Sequence, residues 1–376
     1  MTTQTQARSF EQVFLTACFL IALCLPVGAM FLGIKSTPLG ENRVLAPLPQ
    51  LSMNPYQISN LPRAFGHYFN DRFAFRESLI RWQATIRLNW LRTASSPQVT
   101  LGKDGWFFYT GDGLLEYYAH SKPFTEPEMA RWLTLFEARS DWLKQRGISF
   151  VIAIVPESHT IYPEFMPDDI LRIGTQSRLD QLKNYCETHS DIRILDLRPA
   201  LLAEKSRQRI YHRTNTHWNG PGAFIGYREI INRLREEIPA LNPRPENFFR
   251  TVVKYQPTSD LIGLLGTNRI PDEENILLVP GEPPKARSEG REVTLRLADD
   301  EKYLVTENRD TPQLPRVVMF RDSFASSLIP LLAEHFSRGV FLWKREMDKE
   351  VIEAERPKVV IFESSERLLM EEPPKQ

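Results

Sequence analysis

Phe150 to Val155 is an unbroken apolar run of strand length, and Val317 to Phe320 and Val359 to Phe362 repeat the pattern. A strand with one wet face alternates apolar and polar residues. A run with no polar interruption is covered on both faces. Helical segments lie between these runs. Glu126 to Arg146 sets Trp132, Leu133, Phe136 and Leu143 on one apolar face and stops at Gly147. Ser177 to His189 reads as a helix, and Pro221 at a first helical position opens another that runs to about Glu237. Lys103 to Tyr109 reads as a turn and then a strand; Ile192 to Leu195 and Gly339 to Leu342 complete the strand set. Strands alternating with helices imply an α/β fold with a mostly parallel sheet and helices on both faces. Residues 243–315 are proline- and charge-rich and poorly periodic, and read as an insertion with short strands near the site.

The N-terminus has a different character. Val13 to Ile34 carries no charge. As a helix it would span about 33 Å, enough for a hydrocarbon core of about 30 Å. Arg8 precedes it and Lys35 and Arg43 follow, so the charge bias across it is small. The expected reading is an uncleaved anchor, with Val27-Gly28-Ala29 as a signal-peptidase site in the alternative. Either delivers the body across a membrane. The expected organisation is a tail at 1–12, the apolar segment at 13–34, a linker and helical neck at 35–96, and the main domain at 97–376. Within the neck, Ser36 to Met53 is a proline-containing linker, and Tyr56 to Arg92 forms one or two helices.

Lys+Arg and Asp+Glu are both 47, so net charge gives no support for nucleic-acid binding. Of three cysteines, only Cys186 lies in the body, which excludes an intrachain disulfide framework there. His212 and His217 have no ligand set around them, so no metal is expected. Gly220-Pro221-Gly222 has the wrong spacing and context for a dinucleotide loop, and no cofactor is expected.

The chemistry-bearing candidate is Ser323. The apolar run Val317–Phe320 ends at Arg321-Asp322-Ser323-Phe324 and continues as if into a helix. A serine there sits at the C-terminal end of a buried strand, where ligands collect in open α/β sheets and where N–H groups can hold an oxyanion. Serine needs a base, and His217 in Thr214-Asn215-Thr216-His217-Trp218 is the candidate. Helix capping by Asp322 or Ser323, and a purely structural His217, are the plainer alternatives.

These segments resemble the AlgX/AlgJ-like alginate O-acetyltransferase family and the related DHHW proteins. Thr214 to Asn219 is similar to the family's Asp-x-His-Trp motif, and Lys103-Asp104-Gly105-Trp106 to its Gly-Lys-Asp-Gly-Trp strand. Val155 to Pro163 resembles its strand-exit segment, Arg321 to Phe324 its serine block, and Glu366-Arg367 its C-terminal Glu-Arg. The resemblance implies an SGNH-hydrolase-like domain, exported or held at the inner membrane by one span, with the body facing the periplasm or cell exterior. It implies acetyl transfer to exopolysaccharide hydroxyls, with a membrane-bound acetyl donor protein as partner. By position, Ser323 would be the nucleophile, His217 the base and residue 215 the orienting acid.

Position 215 is asparagine where the family pattern has aspartate. Its side-chain oxygen accepts a hydrogen bond but offers no full charge to an imidazolium. Three outcomes stay open: Asn215 suffices for slow transfer, Asp322 or another carboxylate such as Asp196 substitutes as the acid, or catalysis is lost and polysaccharide binding retained. SGNH acetylesterase activity is a further one. Arg321, Trp218, Tyr162 and His159 are the candidate substrate-binding residues. Arg321 would serve for a sugar carboxylate or pair with a nearby acid, the two aromatics would stack on sugar faces, and His159 would line the cleft; core packing is the plainer reading of Trp218 and Tyr162, and a solvent-exposed loop that of His159.

Overall fold

The computed structural model describes residues 2–32, 45–50, 54–255, 260–267, 273–288, 291–292 and 303–374. Much of the expected linker, at 36–44 and 51–53, and parts of the 243–315 segment lie outside the described residues. The chain divides into two compact units, Met1–Ser96 with Leu265–Arg269, and Pro97–Leu264 with Ile270–Gln376.

The first unit is helical. The helix Thr2–Phe31 contains a stretch, Gln12–Met30, long and apolar enough to cross a membrane by length and composition. Pro55–Arg72 and Arg76–Ile86 follow, the latter ending in a π-turn at Arg87–Leu91. Asn54 caps the second helix by accepting from Tyr56 N–H at 3.0 Å. Phe65, Phe69 and Phe73, spaced four apart, stack along it.

The second unit is built on an eight-stranded sheet. Its strands run in the order Ile194–Asp196, Ser149–Val155, Val359–Ser365, Arg316–Phe320, Arg338–Leu342, Tyr303–Glu307, Arg287–Ser288 and Arg291–Glu292. The first five are mutually parallel, and Tyr303–Glu307 pairs antiparallel to Arg338–Leu342. The expected insertion therefore donates the last three strands to the main sheet. Tyr303–Glu307 alternates half-buried and buried residues, so it lacks the continuous apolar run that marks the central strands.

The central runs divide cleanly by alternate residues. Val151, Ala153, Val155, Val317, Met319, Val359 and Ile361 enter one core; Ile152, Ile154, Val318, Phe320, Val360 and Phe362 enter the other. Each of the larger side chains among them, all but Ala153, contributes about 1.5–3 kcal/mol on burial, so neither face can be left bare. Gly220–Arg235 covers the first face with Phe224, Tyr227, Ile230, Ile231 and Leu234. Glu126–Lys144 and Arg178–His189 cover the second with Trp132, Phe136, Leu143, Leu179 and Leu182. Cys186 is sealed in this second core, and burial pushes its thiol up to about 12, which leaves it unreactive.

Because the strands are parallel, their last residues Val155, Ser365 and Phe320 lie toward the same end of the sheet, Val155 paired with Ser365 and Phe320 with Phe362. The segments that leave these strands, 156–163, 321–327 and 366–370, meet there.

Candidate active site

The strand Arg316–Phe320 does not run into a helix. It passes through Arg321 and Asp322 into a 3-10 turn, Ser323–Ser327, and a short helix follows at Ile329–Leu332. Asp322 shapes the turn: Oδ1 accepts from Phe324 N–H at 2.9 Å and Oδ2 from Ser365 N–H at 2.7 Å. The serine turn is thereby tied to the end of the neighbouring strand. Beneath it, Glu363 accepts from Asp322 N–H at 3.2 Å. Burial, then the charge of Asp322, pushes the Glu363 carboxyl well above the ordinary carboxylate range.

His217 reaches the same place from a closed loop rather than from a strand end. A single bridge pairs Tyr211 with Trp218, and Asn219 N–H donates to Ile210 C=O at 3.1 Å. Glu273 holds the loop from the side, accepting from Arg213 N–H, from Thr214 N–H at 3.1 Å and from Arg209 at 2.7 Å. Trp218 then joins loop to turn, its Nε1–H donating to Phe324 C=O at 3.1 Å. Phe324 meets Trp218 edge to face at 5.6 Å between ring centroids and lies 4.9 Å from the His217 ring.

These contacts bring Ser323 Oγ to 2.8 Å from His217 Nε2, and His217 Nδ1 to 2.8 Å from Asn215 Oδ1. Asn215 Oδ1 also accepts from His217 N–H at 3.0 Å. A neutral imidazole held this way donates from Nδ1 to Asn215 and offers a free pair at Nε2 to the serine hydroxyl. Ser323, His217 and Asn215 are each half-exposed, whereas Thr216, Trp218 and Phe324 around them are buried. These three side chains are open to solvent and their supports are not.

Other expected site residues take different places. Asp322 spends both oxygens on backbone N–H groups, and Asp196 pairs with Arg198 at 2.8 Å, so neither substitutes as the acid behind His217. Trp218 is 1 % exposed and has no face for a sugar. Tyr162 is buried against Trp106 at 4.4 Å, with its hydroxyl accepting from Ile210 N–H at 3.0 Å. Arg321 is buried under Trp343 at 4.4 Å, donating to Asp322 C=O and Ser326 Oγ, both at 3.2 Å. His159 is packed beneath Tyr117 and Tyr118; burial, with Arg367, Arg172 and His120 adding, lowers it to about 3. All four are pillars of the site, not its lining. The loop-bracing Glu273 and the buried Glu363 carry no sequence signal beyond their residue type.

Gly222 and Gly226 make room for the Trp218 indole. A Cβ on Gly222 would lie 2.2 Å from Ile210 O and 2.8 Å from Trp218 Cβ; on Gly226 it would lie 2.7 Å from Trp218 Cη2. Gly222→Ala is expected to cost about 3 kcal/mol, since overpacking outweighs the roughly 1 kcal/mol gained in helix propensity. Urea unfolding would check this; an unchanged midpoint would mean the loop is not tightly packed here.

Comparison with known proteins follows the same segments. The SGNH hydrolase-like domain of the acetyltransferase AlgX matches residues 99–302. The probable alginate O-acetylase AlgJ of Pseudomonas syringae pv. tomato is 26% identical over 309 residues, covering 80% of this chain and 76% of that protein. The AlgJ of Pseudomonas fluorescens is 28% identical over 162 residues, covering 43% of this chain and 39% of that protein. Among solved structures, Bacillus cereus PatB1 with a sulfonyl adduct shares the fold, with a TM-score of 0.54 at 18% identity over 74% of this chain and 100% of that chain. The family match takes in the strand exit and the histidine loop and ends before Ser323. Spanning more than half of the sequence, it makes this chain a member of the AlgX SGNH hydrolase-like acetyltransferase family.

Proposed function

We propose that the protein is an O-acetyltransferase that carries an acetyl group on Ser323 and passes it to a hydroxyl of an alginate-like polysaccharide. The observation that carries this reading is the hydrogen-bonded series Ser323, His217, Asn215, with both links at 2.8 Å. His217 Nε2 takes the hydroxyl proton as Oγ bonds to the acetyl carbon; the donor's leaving group departs with that proton. In the second half, a sugar hydroxyl attacks the acyl-serine, His217 takes its proton, and returns it to Ser323 Oγ. The N–H of Ser323, first in the 3-10 turn, is the oxyanion donor. That of Phe324 is spent on Asp322.

The substrate class is supported by the relatives named alginate O-acetylases. The apolar helix Gln12–Met30 supports a single-pass anchor in the inner membrane with the body on the periplasmic side. A membrane-bound donor protein would then bring the acetyl group to Ser323. Asn215 favours a second reading, a non-catalytic polysaccharide-binding subunit of an export complex.

The test uses the full chain in detergent with an acetyl ester donor and a polyuronate acceptor, read by NMR of the polysaccharide. Acetylated polymer is expected. Acetate release without polymer acetylation would make it an esterase, and equal inertness of the parent and Ser323→Ala would favour the binding subunit. Asn215→Asp is expected to raise kcat on a chromogenic acetyl ester about tenfold, because a charged partner stabilises the imidazolium that a neutral one only orients.

A further inference from the structure

A full negative charge stands beside the His217 imidazole on a segment remote in sequence. Asp260 begins the short helix Asp260–Leu264. Its Oδ2 lies 3.8 Å from His217 Nδ1, and among the described residues no other carboxylate lies within ion-pair distance of this ring. The same oxygen accepts from Thr216 Oγ1 at 2.5 Å, and Oδ1 accepts from Thr216 N–H at 3.0 Å. Thr216 Oγ1 is in turn 3.1 Å from His217 Nδ1.

We propose that Asp260 is the charge-supplying, positioning carboxylate of this site, acting on His217 directly and through the Thr216 hydroxyl. The work of one aspartate is divided: Asn215 fixes the ring and Asp260 provides the charge. The inference rests on the reading of Ser323 and His217 as an acyl-transfer pair.

Proton accounting supports the division. The Thr216 hydroxyl has one proton, and the 2.5 Å contact commits it to Asp260. Its lone pairs then face Nδ1–H, which shares itself between Asn215 Oδ1 and Thr216 Oγ1. When Nε2 takes the Ser323 proton, the ring becomes a cation while Nδ1–H stays in place. No proton needs to pass to Asp260; its charge attracts the cation across 3.8 Å, and the polarised hydroxyl extends that attraction. Asp322 and Glu273, the other acids nearby, are committed to backbone N–H groups. The Asp260 side chain is 39% exposed, so water and salt screen it, and its effect falls well short of the ~10⁴-fold loss seen when a buried triad aspartate is neutralised.

The test compares the full chain with Asp260→Asn, which keeps an acceptor for Thr216 and loses only the charge. kcat on a chromogenic acetyl ester should fall about ten- to thirtyfold with KM unchanged, and labelling of Ser323 by a sulfonyl fluoride, read by intact mass, should slow in parallel. Adding Asn215→Asp to Asp260→Asn should restore both rates, since the charge returns at 2.8 Å from Nδ1 in place of 3.8 Å. Thr216→Val should give a smaller loss of the same kind. An Asp260→Asn chain that melts lower but labels at the parent rate would reduce Asp260 to a structural clamp. A loss that Asn215→Asp does not restore overturns the proposal, as does a parent whose Ser323 resists the probe while Asn215→Asp is labelled. Labelling that follows the expected order without any polysaccharide acetylation would refute the substrate reading and uphold this one.

Discussion

Ser323→Ala removes acetyl-ester turnover by at least about 10³-fold while leaving the melting temperature within a degree or two of the parent. The two halves of this expectation have separate grounds. Among the described residues the Ser323 side chain hydrogen-bonds only to His217 Nε2, at 2.8 Å, and it is half-exposed, so its loss creates neither a cavity nor a buried orphan. Ser326, the buried serine of the same turn, is engaged elsewhere, its Oγ accepting from Arg321 at 3.2 Å. In serine enzymes with a full triad, single removals cost up to about 10⁶-fold, and the members fail as a unit. A parent with asparagine at 215 starts lower, so the measurable drop is smaller. His217→Ala should match Ser323→Ala in kcat, and the double variant should be no worse than either. His217→Ala should also melt lower, because the ring packs 4.9 Å from Phe324. Additive losses in the double variant would mean that the serine and histidine act separately, and the acyl-enzyme route would fall.

The sequence carried the architecture of this site better than its lining. Buried parallel strands declare themselves through runs such as Val317–Phe320, and a serine just past such a run has one place to be. His217 is legible because a serine needs a base and because the segment Thr214–Asn219 resembles the family's Asp-x-His-Trp motif; its neighbour Trp218 is a brace. Residue type reveals that Trp218, Tyr162, Arg321 and His159 are chemically able to meet a sugar; it does not reveal that each is turned inward and less than a tenth exposed. Direction along a loop is a tertiary property, set here by the Nε1–H bond to Phe324 and by the two glycines that admit the indole. Asp260 was illegible for a different reason. It lies in the one long segment without periodicity, and it touches His217 largely through a threonine. The same lack of periodicity concealed the strand Tyr303–Glu307.

Glu366→Gln is expected to be stabilising, and increasingly so as pH rises. Glu366 is wholly buried at the same end of the sheet, where it accepts from Glu157 N–H at 3.0 Å, from the Thr160 hydroxyl and from the Tyr117 hydroxyl at 3.1 Å. The nearby cations are already engaged: Arg367 pairs with Glu157 at 2.6 Å and Arg198 with Asp180 and Asp196 at 2.7 and 2.8 Å. Burial therefore dominates and pushes the carboxyl up to about 8, so the folded chain keeps its proton where an unfolded glutamate, at 4.5, has lost it. Between those values the folded state binds more protons than the unfolded one, and stability falls as pH rises through the window. Glutamine imitates the protonated acid and does not titrate. Relative to the parent, the variant should be nearly neutral at pH 4.5 and more stable by about 3–5 kcal/mol at pH 8, at 1.36 kcal/mol per unit. His159, His212 and His335, lowered mainly by burial to about 3, about 4 and about 4, act in the opposite sense. They stay neutral in the folded chain while the unfolded chain takes up protons below 6.5, so they weaken the fold as pH falls. Both proteins share that acid-side loss, and it cancels in the difference. Urea unfolding of the two chains at pH 5, 6.5 and 8 measures the remaining slope. A difference that stays constant across the three would mean that Glu366 is ionised in the folded protein, with a cation closer than the geometry places one.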